Sequence, residues 1–185
     1  ADMVRDIEDM DAILDQFLAF IRDGSDEPLE PVDLTALIRE AVTPYNQQQE
    51  KVRLCLDELP ELPLRRVSMK RLLVNLIDNA LHYGGEGVEV AAAVEGGRTA
   101  PYLVLSVLDR GPGLSAEELD VLFNPVIRGD SARGGKGSGL GLAIVRRVAA
   151  LHGGAVELRN RNGGGLEARV CLPLGLLLPR EAAIG

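Results

Sequence analysis

Residues 68–83 read SMKRLLVNLIDNALHY, and the fold turns on how that stretch is divided. Leu72, Leu73, Leu76, Ile77, Ala80 and Leu81 recur at three- and four-residue intervals, which predicts a helix with a broad buried face, capped by Ser68 and running to about His82. Asn75 and Asn79 stand four apart on one face of that helix, flanked by leucines and not by charge. Buried amides need hydrogen-bond partners. Taken alone, the pair is explained as well by capping of neighbouring backbone as by a ligand, so its meaning depends on what surrounds it.

Two glycine-bearing segments lie downstream. Asp109, Gly111 and Gly113 form DRGPG at the end of an apolar run, where two glycines and Pro112 let the backbone turn tightly and approach a flat ligand. By itself this is also an ordinary turn. Gly134 to Leu142 reads GGKGSGLGL and continues as Ala143, Ile144 and Val145 into a helix. Glycines at 137, 139 and 141 leave backbone amides uncovered at the helix start, where the positive end of the helix dipole favours phosphate. The spacing is not that of a Walker loop, and no strand leads directly into it as a dinucleotide fingerprint requires. Before it, Phe123 to Lys136 carries Arg128, Arg133 and Lys136 among glycines, the composition of either a solvated loop or a positively charged lid.

Outward from these segments, element types alternate. Asp33 is predicted to cap a helix with Leu34, Leu37, Ile38, Ala41 and Tyr45 on its apolar face, followed by a strand over Val52–Leu56. Val88–Val94 and Tyr102–Leu108 read as strands, Ser115–Leu122 and Leu140–Leu151 as helices, and Ala155–Leu158 and Leu166–Leu172 as two closing strands. The expected fold class is α+β, a two-layer sandwich of one mixed sheet with helices on one face.

Upstream, Met3, Ile7, Met10, Leu14, Phe17 and Ile21 follow a heptad seam, so residues 1–24 are expected as a bundle helix, although an ordinary amphipathic helix has the same pattern. Residues 25–32, with two prolines and acidic residues, are expected as a linker, 33–175 as one domain and 176–185 as a tail. Because the chain opens in the middle of a helical pattern, a longer parent protein is expected. Composition narrows the partners: with 185 residues and a net charge of −8, the chain has no surplus of cations to neutralise nucleic-acid phosphates. No apolar run approaches the ~20 residues of a membrane span, so a membrane enters only through segments outside this chain. Cys55 and Cys171 each sit in a strand-like run and read as core thiols of a reducing compartment, with a disulfide between them the lesser alternative.

In order and spacing, Asn75–Tyr83 (NLIDNALHY), Asp109–Gly113, Phe123–Arg128 (FNPVIR) and Gly137–Leu142 (GSGLGL) resemble the N, G1, F and G2 boxes of sensor histidine kinases. The likeness is to EnvZ-type osmosensor kinases in particular, since residues 5–24 are similar to the second helix of their dimerisation domain and RGDSAR to their lid. This resemblance implies the Bergerat ATP-binding fold, a mixed sheet under three helices, as in gyrase, mismatch-repair ATPases and heat-shock chaperone ATPases.

Carried over residue by residue, the resemblance implies ATP and Mg²⁺ as ligands, with Asn79 on the metal, a role that suits a neutral oxygen donor to an ion already bridging phosphates. It places Asp109 on the adenine amine, where an acceptor-only carboxylate favours adenine over guanine. Tyr83, Gly111, Gly113 and Leu114 fall beside the purine. Asn75 falls on phosphate oxygens, and Arg128, backed by Arg133 and Lys136, on charge developing at the γ-phosphate. Gly137, Ser138, Gly139, Leu140 and Gly141 supply the backbone cradle. Two positions depart from the pattern: His82 stands where Lys or Arg is usual, leaving a phosphate contact there in doubt, and Val126 replaces an aromatic.

Related ATPases place a glutamate four residues before the metal-binding asparagine, where it takes a proton from water. Here that position is Asn75, and an amide accepts no proton at neutral pH, which favours transfer to a protein nucleophile over hydrolysis. His82 and His152 are the chain's two histidines, and neither suits the acceptor role. The resemblance therefore implies an acceptor histidine on a dimerisation helix outside this chain, a homodimeric full-length kinase in a bacterial inner membrane with this portion in the cytoplasm, and a response regulator receiver domain as the phosphate's destination. A regulatory nucleotide-binding module and a serine kinase of the anti-sigma type are the competing readings. The intact Asn79, Asp109 and glycine segments weigh against the first, and the heptad helix against the second.

Overall fold

Helix and strand alternate along the chain to give a five-stranded mixed sheet with helices packed on one face. The computed structural model describes residues 26–85, 87–96, 100–123 and 140–174, with side chains at 120–123 and 140 excepted. In chain order the elements are β1 (Glu30–Val32), α1 (Leu34–Val42), β2 (Val52–Leu56), β3 (Leu62–Leu64), α2 (Arg66–Gly84), β4 (Val88–Glu95), β5 (Tyr102–Leu108), α3 (Ala116–Phe123), α4 (Leu140–Leu151), β6 (Ala155–Asn160) and β7 (Leu166–Pro173). The main sheet runs β2-β4-β5-β7-β6, with β2 parallel to β4 and every other pairing antiparallel. The expected bundle helix over residues 1–24, the lid between 124 and 136, and the tail at 176–185 lie outside the described residues.

Alternation along the strands explains the layering. Val90, Ala92, Leu103, Leu105, Val107, Val170 and Leu172 face the helices and are buried. Against them pack Leu72, Leu73, Leu76 and Ile77 of α2, Leu34, Leu37 and Ile38 of α1, and Ile144, Val145 and Val148 of α4. Each fully buried aliphatic side chain contributes about 1.5–3 kcal/mol, so this single layer carries most of the driving force. The other face of the sheet is polar, with Arg53 paired to Glu89, Arg169 to Glu95, and Ser106 donating to Glu167.

Cys55 and Cys171 belong to that polar face. Cys55 is exposed and Cys171 half-buried, so neither is the core thiol expected from the apolar runs around it. Strands β4 and β5 separate them, a gap of about 14 Å at ~4.8 Å per strand, too wide for a disulfide.

The long helix α2 begins at Arg66, and Ser68, expected as its cap, lies inside its first turn and does not cap it. Capping comes instead from distant residues: Glu27 accepts hydrogen bonds from the backbone N–H of Val67 (2.5 Å) and Ser68 (3.0 Å) and from the Ser68 hydroxyl (2.6 Å). His152, at the end of α4, accepts from the backbone N–H of Arg65 through Nε2 (3.0 Å). Residues 26–32, expected as linker, are thus built into the domain through Glu27 and through β1, whose Pro31 pairs with Pro63 of β3. Two prolines in so short a ladder hid both strands from a period-based reading. Asp33 caps α1 as expected, accepting from Ala36 N at 2.9 Å, and Ser115 forms a capping box with Glu118. Tyr45 lies just past α1 in a short 3₁₀ turn and donates to Asp78 of α2 (2.7 Å).

Candidate functional site

Helix α2 organises the site because its polar face points toward α4 and its last turn abuts the end of β5. Asn75 and Asn79 are half-buried, more accessible than the leucines around them suggested. Asn75 donates Nδ2 to the carbonyl of Arg71 (2.8 Å), which turns Oδ1 outward. Gly141, in the first turn of α4, sits directly over both amides: a Cβ there would lie 3.0 Å from Asn75 Oδ1 and 3.5 Å from Asn79 Nδ2. The start of α4, whose first-turn N–H groups have no partner within the helix itself, is thereby brought onto the asparagine pair, an arrangement suited to an anion with an attached cation. No described residue hydrogen-bonds the Asn79 amide, so its oxygen is open to a hard cation. One neutral oxygen suits an ion that takes its remaining ligands from phosphate and water.

At the C-terminal end of α2 the contact is tighter. Gly84 lies against Asp109, where an added Cβ would fall 2.2 Å from the aspartate Cβ. Gly111 lies against the carbonyl of Tyr83, at 2.7 Å on the same construction. Asp109 itself is 6% exposed. Its Oδ1 accepts from the N–H of Gly111 (2.9 Å) and of Leu166 (3.0 Å), whereas no described residue donates to Oδ2. One carboxylate oxygen is anchored to backbone and the other is left to receive a ligand donor. Asp109 and Asn79 are set apart by the length of α2 between Gly84 and Asn79, a rise of about 7–8 Å.

His82 and Tyr83 are both exposed, Tyr83 at 59%, and their rings meet edge to face at 4.6 Å. His82 lies in the last turn of α2, where a basic group also complements the helix dipole. Gly113 takes φ +74° beside Asn160, and Leu114 is held by the same Asn160. Arg128, Arg133, Lys136, Gly137, Ser138 and Gly139 lie outside the described residues, as does the side chain of Leu140.

His152 is 3% exposed, with Nδ1 donating to the Val148 carbonyl (2.8 Å) and Nε2 accepting from Arg65. The bond accepted at Nε2 requires the neutral ring. Burial, reinforced by the charge of Arg65, pushes its pKa below the usual histidine value despite the Val148 bond and the nearby Glu27. An imidazole so enclosed is a structural joint between α4 and α2.

Sequence reading missed Gly84, Asn160, Arg161 and Gly165 around Asp109. The available signal was the NRNGGG run at 160–165, which holds more glycine than a two-residue hairpin needs.

A mixed sheet, a helix bearing paired amides under a glycine-opened helix, and a buried carboxylate at a glycine turn define a nucleotide-binding domain. Over residues 65–176 the chain matches the family described as histidine kinase-, DNA gyrase B-, and HSP90-like ATPase, and it belongs to that family. It is 37% identical over 176 residues to the sensor histidine kinase GtrS of Pseudomonas aeruginosa, covering 93% of this chain and 35% of GtrS. With the sensor protein CutS of Streptomyces coelicolor it shares 39% identity over 153 residues, 78% of this chain and 36% of CutS. The NMR structure of the histidine kinase domain of the E. coli osmosensor EnvZ superposes with a TM-score of 0.63 at 34% identity, covering 86% of this chain and 95% of that one. The chain is thus an ATP-binding catalytic domain of the sensor histidine kinase type, as the likeness to EnvZ-type kinases implied. It spans about a third of the length of these curated relatives.

Proposed function

We propose that this domain binds Mg-ATP and transfers the γ-phosphate to a histidine on a dimerisation helix outside the chain, for relay to an aspartate of a response regulator receiver domain. Asp109 Oδ2 accepts from the adenine amine, with Gly111, Gly113, Leu114 and Tyr83 around the base. Asn79 holds the Mg²⁺ ion, which when bound neutralises charge on the phosphate oxygens. Asn75 uses its remaining amide N–H on phosphate. Backbone N–H groups of 137–141 cradle the chain of phosphates, and Arg128, with Arg133 and Lys136, balances charge as the terminal P–O bond breaks, the new N–P bond forms and ADP departs. His82, three residues beyond Asn79 on α2, is proposed as a further contact to the same anion.

The observation that carries this reading is the placement of Gly141 over Asn75 and Asn79 in the middle and C-terminal half of α2, with the open oxygen of Asp109 beside the last turn of the same helix. The enclosure of His152 and the lack of any base at position 75 favour transfer to an outside histidine over hydrolysis or self-modification. The parent protein is proposed to be a homodimeric sensor of a bacterial inner membrane, with residues 1–24 as one helix of its dimerisation domain and this portion in the cytoplasm. Among the described residues no helix is long and apolar enough to cross a membrane.

The test adds a separately produced histidine-bearing dimerisation domain to the chain with Mg-ATP. Acid-labile phosphate on that domain, and almost none on the chain alone, is the expected outcome. Failure to bind ATP, or steady hydrolysis with no phosphohistidine, overturns the proposal.

A further inference from the structure

We infer that Asn160 and Arg161, on the β6–β7 hairpin, are positioning residues for the base pocket: they hold Asp109 and its glycine turn in one arrangement and so set how tightly the purine is gripped. This rests on the reading of Asp109 as the adenine anchor.

The hairpin binds nearly every polar atom of Asp109. Leu166 accepts from the Asp109 N–H (2.9 Å) and donates to its Oδ1 (3.0 Å), and the Arg161 guanidinium donates through Nη1 to the Asp109 carbonyl (2.5 Å). Only Oδ2 is spared. Gly165, at φ +103°, touches the same carbonyl so closely that a Cβ would fall 2.2 Å from it. The hairpin turn that presents these groups is closed by Arg161 itself, whose N–H donates to Gly165 O (3.0 Å).

Asn160 holds the far end of the turn. Its Oδ1 accepts from the Leu114 N–H (2.9 Å) and its Nδ2 donates to the Leu114 carbonyl (2.7 Å), a reciprocal pair in which a side-chain amide imitates a neighbouring strand. Gly113 takes φ +74° here, and a Cβ on it would lie 2.6 Å from Asn160 Oδ1. The DRGPG turn is therefore fastened at both ends, Asp109 by Arg161 and Leu114 by Asn160. Without those fasteners a turn with two glycines samples other shapes, and binding must then select the competent one. The defect falls on the base end of the ligand and not on its phosphates.

The experiment is calorimetric titration of Asn160→Ala, Asn160→Asp and Arg161→Met with ATP, ADP and adenosine, at a temperature well below each variant's melting point, with Asp109→Asn alongside. Loss of the reciprocal pair is expected to weaken all three ligands by a common factor of roughly five to thirty in Asn160→Ala. Asn160→Asp, which keeps the acceptor for Leu114 N–H and loses the donor, is expected to fall between. A purely stabilising role would lower the melting temperature and leave affinity of the folded protein untouched. Unchanged affinity in Asn160→Ala and Arg161→Met, or a loss confined to ATP, overturns the inference while a weakened Asp109→Asn leaves the site reading standing. Unchanged affinity in Asp109→Asn as well overturns the site reading itself.

Discussion

Replacing Asp109 by Asn separates the aspartate's structural work from its proposed work on the ligand. Oδ1 accepts from two backbone N–H groups, those of Gly111 and Leu166, and an asparagine oxygen in the same place keeps both. The amide nitrogen then occupies the position of Oδ2 and presents a donor where the carboxylate presented an acceptor. Stability falls by about 1–2 kcal/mol, because two hydrogen bonds to a charged acceptor become bonds to a neutral one. That lowers the melting temperature by roughly 3–8 °C and leaves the protein folded at room temperature. Ligand affinity falls further. Loss of a charge-assisted bond to the adenine amine costs about 1.5–3 kcal/mol, or roughly ten- to 150-fold in Kd for ATP. Guanine offers a carbonyl at the equivalent edge, which the new amide welcomes, so preference for ATP over GTP shrinks as well. Paired calorimetric titrations with ATP and GTP, read beside a thermal melt, measure all three quantities. An ATP Kd within twofold of wild type in a folded variant, with nucleotide preference intact, would refute the assignment.

Three further outcomes are expected. Asn79→Ala removes the proposed metal ligand, so the gain in ATP affinity on adding Mg²⁺, measured by titration with and without the ion, should largely vanish; a gain equal to wild type sinks the assignment. His152 is held neutral with its folded pKa below the unfolded value of 6.5, so the unfolded chain takes up the proton first as pH falls. Its stabilising contribution is therefore full above that value and is lost on going down through the folded pKa, at no more than about 1.4 kcal/mol per pH unit. Urea midpoints at pH 7.5 and 5.5 should show this slope in wild type and a smaller one in His152→Ala. Glu27 is partly buried, which acts to raise its pKa, but hydrogen bonds from Ser68 and Val67 and the charge of Arg65 hold it below the usual value. Glu27→Gln should cost about 1 kcal/mol at neutral pH, by removing a charged cap from α2, and should flatten the loss of stability below pH 4.5, where the wild-type carboxylate takes up its proton. Equal acid sensitivity in the two proteins would count against the cap.

Much of the fold was legible because it is written in local periodicity. The three- and four-residue spacing of Leu72, Leu73, Leu76 and Ile77, and the alternation through Val88–Val94 and Tyr102–Leu108, reflect burial on a single face, which each element records in its own residues. Asn75, Asn79, Asp109 and Gly141, the proposed site residues, stood out for a related reason: two amides four apart on a helix and glycines at a turn or helix start are patterns of residue type and spacing that a linear string retains. Asn75 and Asn79 were nonetheless read as buried when they are half-exposed, since flanking leucines do not reveal what lies across the groove.

What tertiary structure alone decided are the contacts between residues far apart in the chain. Ser68 was a sensible local cap, yet Glu27 and His152 hold the start of α2 from 41 residues before Ser68 and 87 residues after Arg65. Glu30–Val32 and Leu62–Leu64 carry prolines that argue against strand, and only each other's presence makes them one. Asn160 and Arg161 look like hairpin polarity until the sheet order lays their turn against Asp109 and Leu114. Composition and period determine which surfaces are buried and which chemistry is available, because those follow from each residue's own side chain. Which distant backbone group a carboxylate or amide satisfies depends on relative position in space, and that exists only once the layers have packed.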